Sequence, residues 1–198
     1  MKLLAAVVVM CSLAIAGCAG PSGTGPYQPQ TEAGRDPAGA QRLTLEAADL
    51  IHKDPVQAER LLRDALTRDL YHGPAHNDLG VVYLSQGKTY EAASEFEFAR
   101  KLMPGHPDPR VNLAIALERA GRIDEALSTF RAALEVYPGY VAAMEGIVRL
   151  QLRSGKADDG TGRALSEIAM RGESEPWRAW ARLQLSKQRL PGSGGRAE

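Results

Sequence analysis

One interval constrains this chain more than any other feature: 34 residues. Gly87, Gly121 and Gly155 stand 34 apart, and so do Leu79, Leu113 and Ile147. Ala58, Ala92 and Ala126 keep the same step, as do Leu62, Phe96 and Phe130, and then Ala65, Ala99 and Ala133. Pro104 and Pro138 close two successive units. A unit this short cannot bury its own apolar face. Recurrence therefore implies stacking, in which neighbours cover one another and the core runs along the array.

Within a unit the apolar spacing is helical. Leu79, Gly80, Val82 and Tyr83 share one face at i, i+1, i+3 and i+4, and Leu113, Ala114, Ala116 and Leu117 repeat the pattern. Gly80 and Ala114 are small enough for a neighbouring helix to come close. Gly87 and Gly121 end the first helix, because glycine accepts the positive φ of a helix terminus. A second helix is predicted to start near Thr89 and Ile123, burying Ala92, Phe96 and Ala99 in one unit and Ala126, Phe130 and Ala133 in the next. Pro104 and Pro138 cannot continue it. Asp124-Glu125 and Asp158-Asp159 suit the positive ends of second helices.

The period predicts about four units over residues 39–174, strongest at 73–106 and 107–140. Residues 39–72 keep Ala58, Leu62 and Ala65 but carry Lys53 and Leu70 where Gly and Pro are expected. Residues 141–174 keep Ile147 and Gly155, but Gly160 replaces the small Ala, so the second helix is expected to begin late, near Thr161. A final helix from Pro176 to about Leu190, with Trp177, Trp180, Ala181 and Leu183, reads as a cap over 175–190. Residues 191–198 read as a disordered tail.

These residues resemble the tetratricopeptide repeat family. Its pattern is matched at Leu79-Gly80, Tyr83, Gly87, Ala92, Phe96, Ala99 and Pro104, then at Leu113-Ala114, Leu117, Gly121, Ala126, Phe130, Ala133 and Pro138. The family's usual Trp is His76 in one unit and Arg110 in the next. The resemblance implies an all-α fold, a superhelical α-solenoid of helical hairpins closed by a C-terminal capping helix. It also implies that first helices line a concave groove. The groove positions fall on Asn77, Val81, Leu84 and Ser85, on Val111, Ile115, Glu118 and Arg119, and on Glu145, Arg149, Leu152 and Arg153. If exposed, Val81, Leu84, Val111 and Ile115 would hold an amphipathic helix or an extended peptide. Arg119, Arg149 and Arg153 would pair with a partner carboxylate. Chaperone-binding members clamp a C-terminal carboxylate. Of the matching positions only Asn112 and Arg149 agree, and Glu145 has the opposite sign, so no such clamp is expected.

The N-terminus reads as an address. Lys2 and the free amine precede an apolar stretch from Leu3 to Ala16, which is too short to span a bilayer comfortably. Ile15-Ala16-Gly17-Cys18 resembles the bacterial lipobox. That resemblance implies removal of residues 1–17, a diacylglycerol on the Cys18 sulfur and acylation of the new amine. More than one acyl chain gives stable anchoring without a transmembrane helix. Ala19 resembles the default for outer-membrane sorting, which implies an envelope protein facing the periplasm. From Cys18 to residue 38 the chain is rich in Gly, Pro, Ser, Thr and Gln and has no apolar period, so a disordered tether is expected.

Other chemistries find no footing. Lys+Arg and Asp+Glu number 24 each, so there is no basic excess for nucleic acid. Both cysteines precede residue 20. Of His52, His72, His76 and His106 none sits with a cysteine at ligand spacing, and there is no phosphate loop or nucleophile elbow. No catalytic residue, metal or cofactor is expected. The expectation is a non-enzymatic scaffold that binds a protein or peptide in its groove. It is similar to small lipoproteins that help assemble pili or secretin rings. The alternatives are an adaptor for peptidoglycan-modifying enzymes and a self-associating, homo-oligomeric envelope protein.

Overall fold

A computed structural model describes residues 31–189. Cys18, the signal-like segment, most of the expected tether and the tail 191–198 lie outside the described residues. Among the described residues the regular structure is helical throughout. The helices are α1 (Pro37–Ala48), α2 (Pro55–Arg68), α3 (Gly73–Ser85), α4 (Thr89–Leu102), α5 (Asp108–Arg119), α6 (Ile123–Val136), α7 (Val141–Arg153), α8 (Asp159–Arg171) and α9 (Glu175–Arg189). Each packs on the next, giving four hairpins and a final helix on α8. The all-α solenoid expected from the period is what the described residues form.

The turns follow from the glycines at the interval. Gly87, Gly121 and Gly155 have φ of 76°, 77° and 67°. Each lets the chain fold back on the helix it leaves. The Lys88, Arg122 and Lys156 amides donate to the carbonyls of Tyr83, Leu117 and Gln151, each at 2.9 Å. Lys53 cannot take that conformation cheaply. The first hairpin therefore ends its helix early, at Ala48, and turns through bonds from the Lys53 and Asp54 amides to the Leu50 carbonyl.

Aromatic residues from second helices fill the space that small residues leave. Phe96 and Phe130 are fully buried. A Cβ on Gly80 would lie 2.5 Å from the Phe96 ring, and one on Gly146 would lie 2.3 Å from the Phe130 ring. These glycines are the sockets for the two rings. The main core runs from Ala40 to Leu150. A second, smaller core of Met144, Val148, Leu165, Ile168 and Ala181 joins α7, α8 and α9, with Trp177 and Trp180 packed against it.

Two boundaries differ from expectation. The helical body begins before Gly39: Asp36 accepts the Gly39 amide at 2.8 Å, Pro37 starts α1, and Arg35 pairs with Asp69 at 2.8 Å. Capping and a buried carboxylate thus order residues assigned to the tether. The second helix of the last hairpin does not begin late. Asp158 caps α8 and accepts the Thr161 amide at 2.9 Å, while the Thr161 hydroxyl accepts the Asp158 amide at 2.9 Å. This reciprocal cap fixes the start at Asp159 despite Gly160.

Candidate partner-binding groove

The first helices α1, α3, α5 and α7 approach one another in sequence, whereas the second helices show no comparable approach. A stack whose one layer is drawn closer than the other curves toward that layer, so the first helices form the inner face. The groove residues therefore sit on one surface.

Their exposure divides them. Leu84 and Val111 are 8% and 6% exposed and belong to the core, so the apolar docking role given to them is corrected: interhelical packing covers them. Val81 and Ile115 are half-buried and rest on the same core. Asn77 and Ile115 are partly accessible, and Arg119 and Arg153 are exposed.

Polar groups on this face tie neighbouring units together. Asn112 Nδ2 donates to Asn77 Oδ1 at 2.9 Å, and the Arg119 guanidinium donates to the Leu84 carbonyl at 2.8 Å. Arg149 and Arg153 converge on Glu118, at 2.6 and 3.0 Å. The Glu118 side chain is 12% exposed, while those of Arg149 and Arg153 are 34% and 56% exposed. One carboxylate is thus shared by two guanidinia from the next unit.

Two titratable groups are displaced by their surroundings. Glu145 is 5% exposed, and its Oε1 has no hydrogen-bond partner among the described residues. Burial pushes its carboxyl up to about 7, and the Glu173 charge adds to this; the Glu173 amide and the Arg149 charge act the other way. Asp78 is also raised by burial, against a hydrogen bond from Asn77.

Sequence reading missed two features. His76 stands at the family's Trp position and looked like a simple exchange, but it is fully buried. Its Nδ1 lies 2.7 Å from Glu95 Oε2 and its Nε2 lies 2.9 Å from the Leu70 carbonyl. Phe98 stacks on its ring at 5.2 Å. The signal was present as Glu95 one residue before Phe96, on the buried side of α4. The second feature is the contact of the cap with the groove. The Arg149 guanidinium lies 5.9 Å from the Trp177 ring centroid, and Trp177 meets Trp180 edge-on at 5.1 Å. His72 and His76 stand four residues apart, yet among the described residues no group of three or more His, Cys, Asp and Glu is placed to hold a metal ion.

Comparison with known proteins agrees with this geometry. Residues 83–135 match one description of the tetratricopeptide repeat family and residues 111–172 match another. Tetratricopeptide repeats therefore occupy residues 83–172. A TPR repeat-containing thioredoxin of Arabidopsis thaliana is 30% identical over 111 residues, which is 56% of this chain but only 16% of that protein. The first TPR domain of Spaghetti, solved with an HSP90 peptide, superposes with a TM-score of 0.58 at 15% identity, covering 62% of this chain and 98% of that one. The Sgt2 TPR domain of Aspergillus fumigatus gives 0.58 at 18% identity, covering 66% and 93%. A Thermobaculum terrenum O-GlcNAc transferase gives 0.61 at 22% identity, covering 71% of this chain and 27% of that one. At these identities the likeness is one of fold. The described residues have the fold of a tetratricopeptide-repeat superhelix, an architecture suited to protein–protein interaction.

Proposed function

We propose that this protein is a lipid-anchored scaffold of the bacterial envelope that holds a partner protein in its inner groove and assists assembly of a pilus or secretin-type complex. The observation that carries the binding role is the inner face itself: half-buried Val81 and Ile115 lie in line with the exposed Arg119 and Arg153 on consecutive first helices. Apolar contact supplies affinity there, and guanidinium groups supply orientation. The Spaghetti domain bound to an HSP90 peptide is a precedent for peptide capture by this fold.

The anchoring half of the proposal rests on sequence. Leu3 to Ala16 followed by Gly17-Cys18 supports export and acylation of Cys18. The proposed place is the outer membrane, facing the periplasm. The tether expected after Cys18 would give the repeat body reach from the bilayer.

The test uses the full chain in its own membrane, with a photo-crosslinking residue at Ile115. Capture of a pilin, a secretin or an assembly ATPase identified by mass spectrometry is the expected outcome. Capture of peptidoglycan-modifying enzymes alone would overturn the pilus assignment. Cys18→Ser should release the protein from the membrane fraction; unchanged retention would contradict the anchor.

A further inference from the structure

The C-terminal end of the inner face has a chemistry the rest of the groove lacks. Arg149, Ser174, Pro176, Trp177 and Trp180 line an open cleft of about 330 Å³. Trp177 and Trp180 are the chain's two tryptophans, and both are partly accessible. Large amphipathic rings around a small cleft are the commonest anchors of protein recognition. The cleft lies at the lower end of the size range for ligand sites, which suits one bulky side chain rather than a whole helix face.

Arginines crowd this end of the groove, with Glu118, Glu145, Glu173 and Glu175 among them. Arg149 and Arg153 share the single carboxylate of Glu118. On the cap, Glu175 is already engaged by Arg178 at 2.9 Å and Arg182 at 2.5 Å. Arg149 links the two features, since it lines the cleft, faces the Trp177 ring and reaches Glu118. A guanidinium held over an aromatic ring can still turn its edge to a carboxylate, and Arg149 turns Nε and Nη2 to Glu118, so the more exposed Arg153 is the main donor for a further carboxylate.

We infer that this end of the groove binds a partner segment in which an aromatic side chain stands next to acidic residues, with the ring in the Trp177–Trp180 cleft and the carboxylates on Arg149 and Arg153. The inference rests on the groove reading above and names the partner chemistry. Charge complementarity selects the acidic flank, and the paired indoles select the ring. Arg153, the more exposed of the two guanidinia, meets the flank first.

The experiment titrates the full-length protein with the acetylated octapeptide Glu-Glu-Phe-Glu-Glu-Phe-Glu-Glu, which contains no tryptophan. Emission from Trp177 and Trp180 then reports the site directly. Saturable change is expected, with binding at least tenfold weaker for a peptide carrying Lys in place of Glu and for one carrying Ala in place of Phe. Arg153→Glu, at a side chain 56% exposed, should weaken binding by a similar factor without altering the helical circular dichroism. The control peptides leave the protein unchanged, so a folding defect cannot mimic the result. Equal binding of the Lys peptide, or no response while Ile115 still crosslinks to a partner, overturns this inference and leaves the groove reading standing. Emission that depends on protein concentration, or on removal of residues 191–198, assigns the cleft to a second copy or to the chain's own end and also overturns it. No peptide response together with no crosslink from Ile115 removes both.

Discussion

The two central hairpins and the C-terminal hairpin with its cap are built from the same repeat but differ in what they bury. The central units, α3 to α6, are packed through ring and socket: Phe96 lies over Gly80, and the glycine turns recur at the repeat interval. The C-terminal unit has a separate small apolar core and also buries Glu145, Gln151 and Thr161, as α3 and α4 bury His76 and Glu95. Glu145 is buried with one oxygen unpartnered, and Gln151 binds both Asp158 and Thr161, at 3.1 Å each. It also carries both tryptophans and the arginine pair. Regular pattern thus marks where the array is held together, and the departures from it gather at the end where the proposed aromatic cleft lies. Natural sequences tend to break their own local rules at functional sites.

The sharpest test of this contrast is the ring itself. Phe96→Ala removes a fully buried side chain from the socket at Gly80 and should cost about 3–5 kcal/mol by urea unfolding. A loss below about 1 kcal/mol would mean that the central core is not packed through this ring. His76→Leu comes next. It leaves Glu95 buried beside an apolar group, at a cost of about 3 kcal/mol, whereas His76→Leu with Glu95→Leu should recover much of the loss. If the double variant is no better than the single one, the pair is not a coupled unit.

Glu145 sharpens the other side of the comparison. Its carboxyl is raised to about 7 in the folded chain and returns to its ordinary acidic value on unfolding. The folded state therefore holds the proton through the interval between the two values. Stability from this group is complete at pH below the ordinary value, falls as pH rises, and is lost above about 7. Glu145→Gln should flatten that decline and stabilise the protein at pH 8 by an amount on the order of 1–3 kcal/mol. A pH profile identical to the parent's would show that Glu145 is not buried in this way. The smallest effect is expected at Gly87→Ala, about 1 kcal/mol, because a Cβ there meets open space and only the φ of 76° resists it.

The repeat body was legible because its physics is periodic. Stacked hairpins require the same small residue and the same turn at each step, and such requirements show in the chain as an interval. Its boundaries were less so. Residues 35–38 look like tether by composition, yet Asp36 and Arg35 act through a cap and a distant ion pair that no local pattern reveals. Gly160 suggested a late helix, but the Asp158–Thr161 cap outweighs one weak helix former. At the groove, sequence could place residues on a helix face but could not tell how deeply the next helix would cover them. Leu84 and Val111 lie under that neighbour, while Arg119 and Arg153 escape it. The His76–Glu95 pair and the Arg149–Trp177 contact join residues far apart in the chain; the first left only the trace of a charged Glu95 on the buried side of α4, and the second left none.

The central claim is that partners dock on the face of the first helices and not on the opposite one. Photo-crosslinking residues placed singly at Arg119, on the inner face, and at Tyr90, which is 78% exposed on second helix α4, compare the two surfaces within the same full-length protein. Adducts to a partner from position 119 with none from position 90 are the predicted result. Adducts from position 90 with none from position 119 would contradict it.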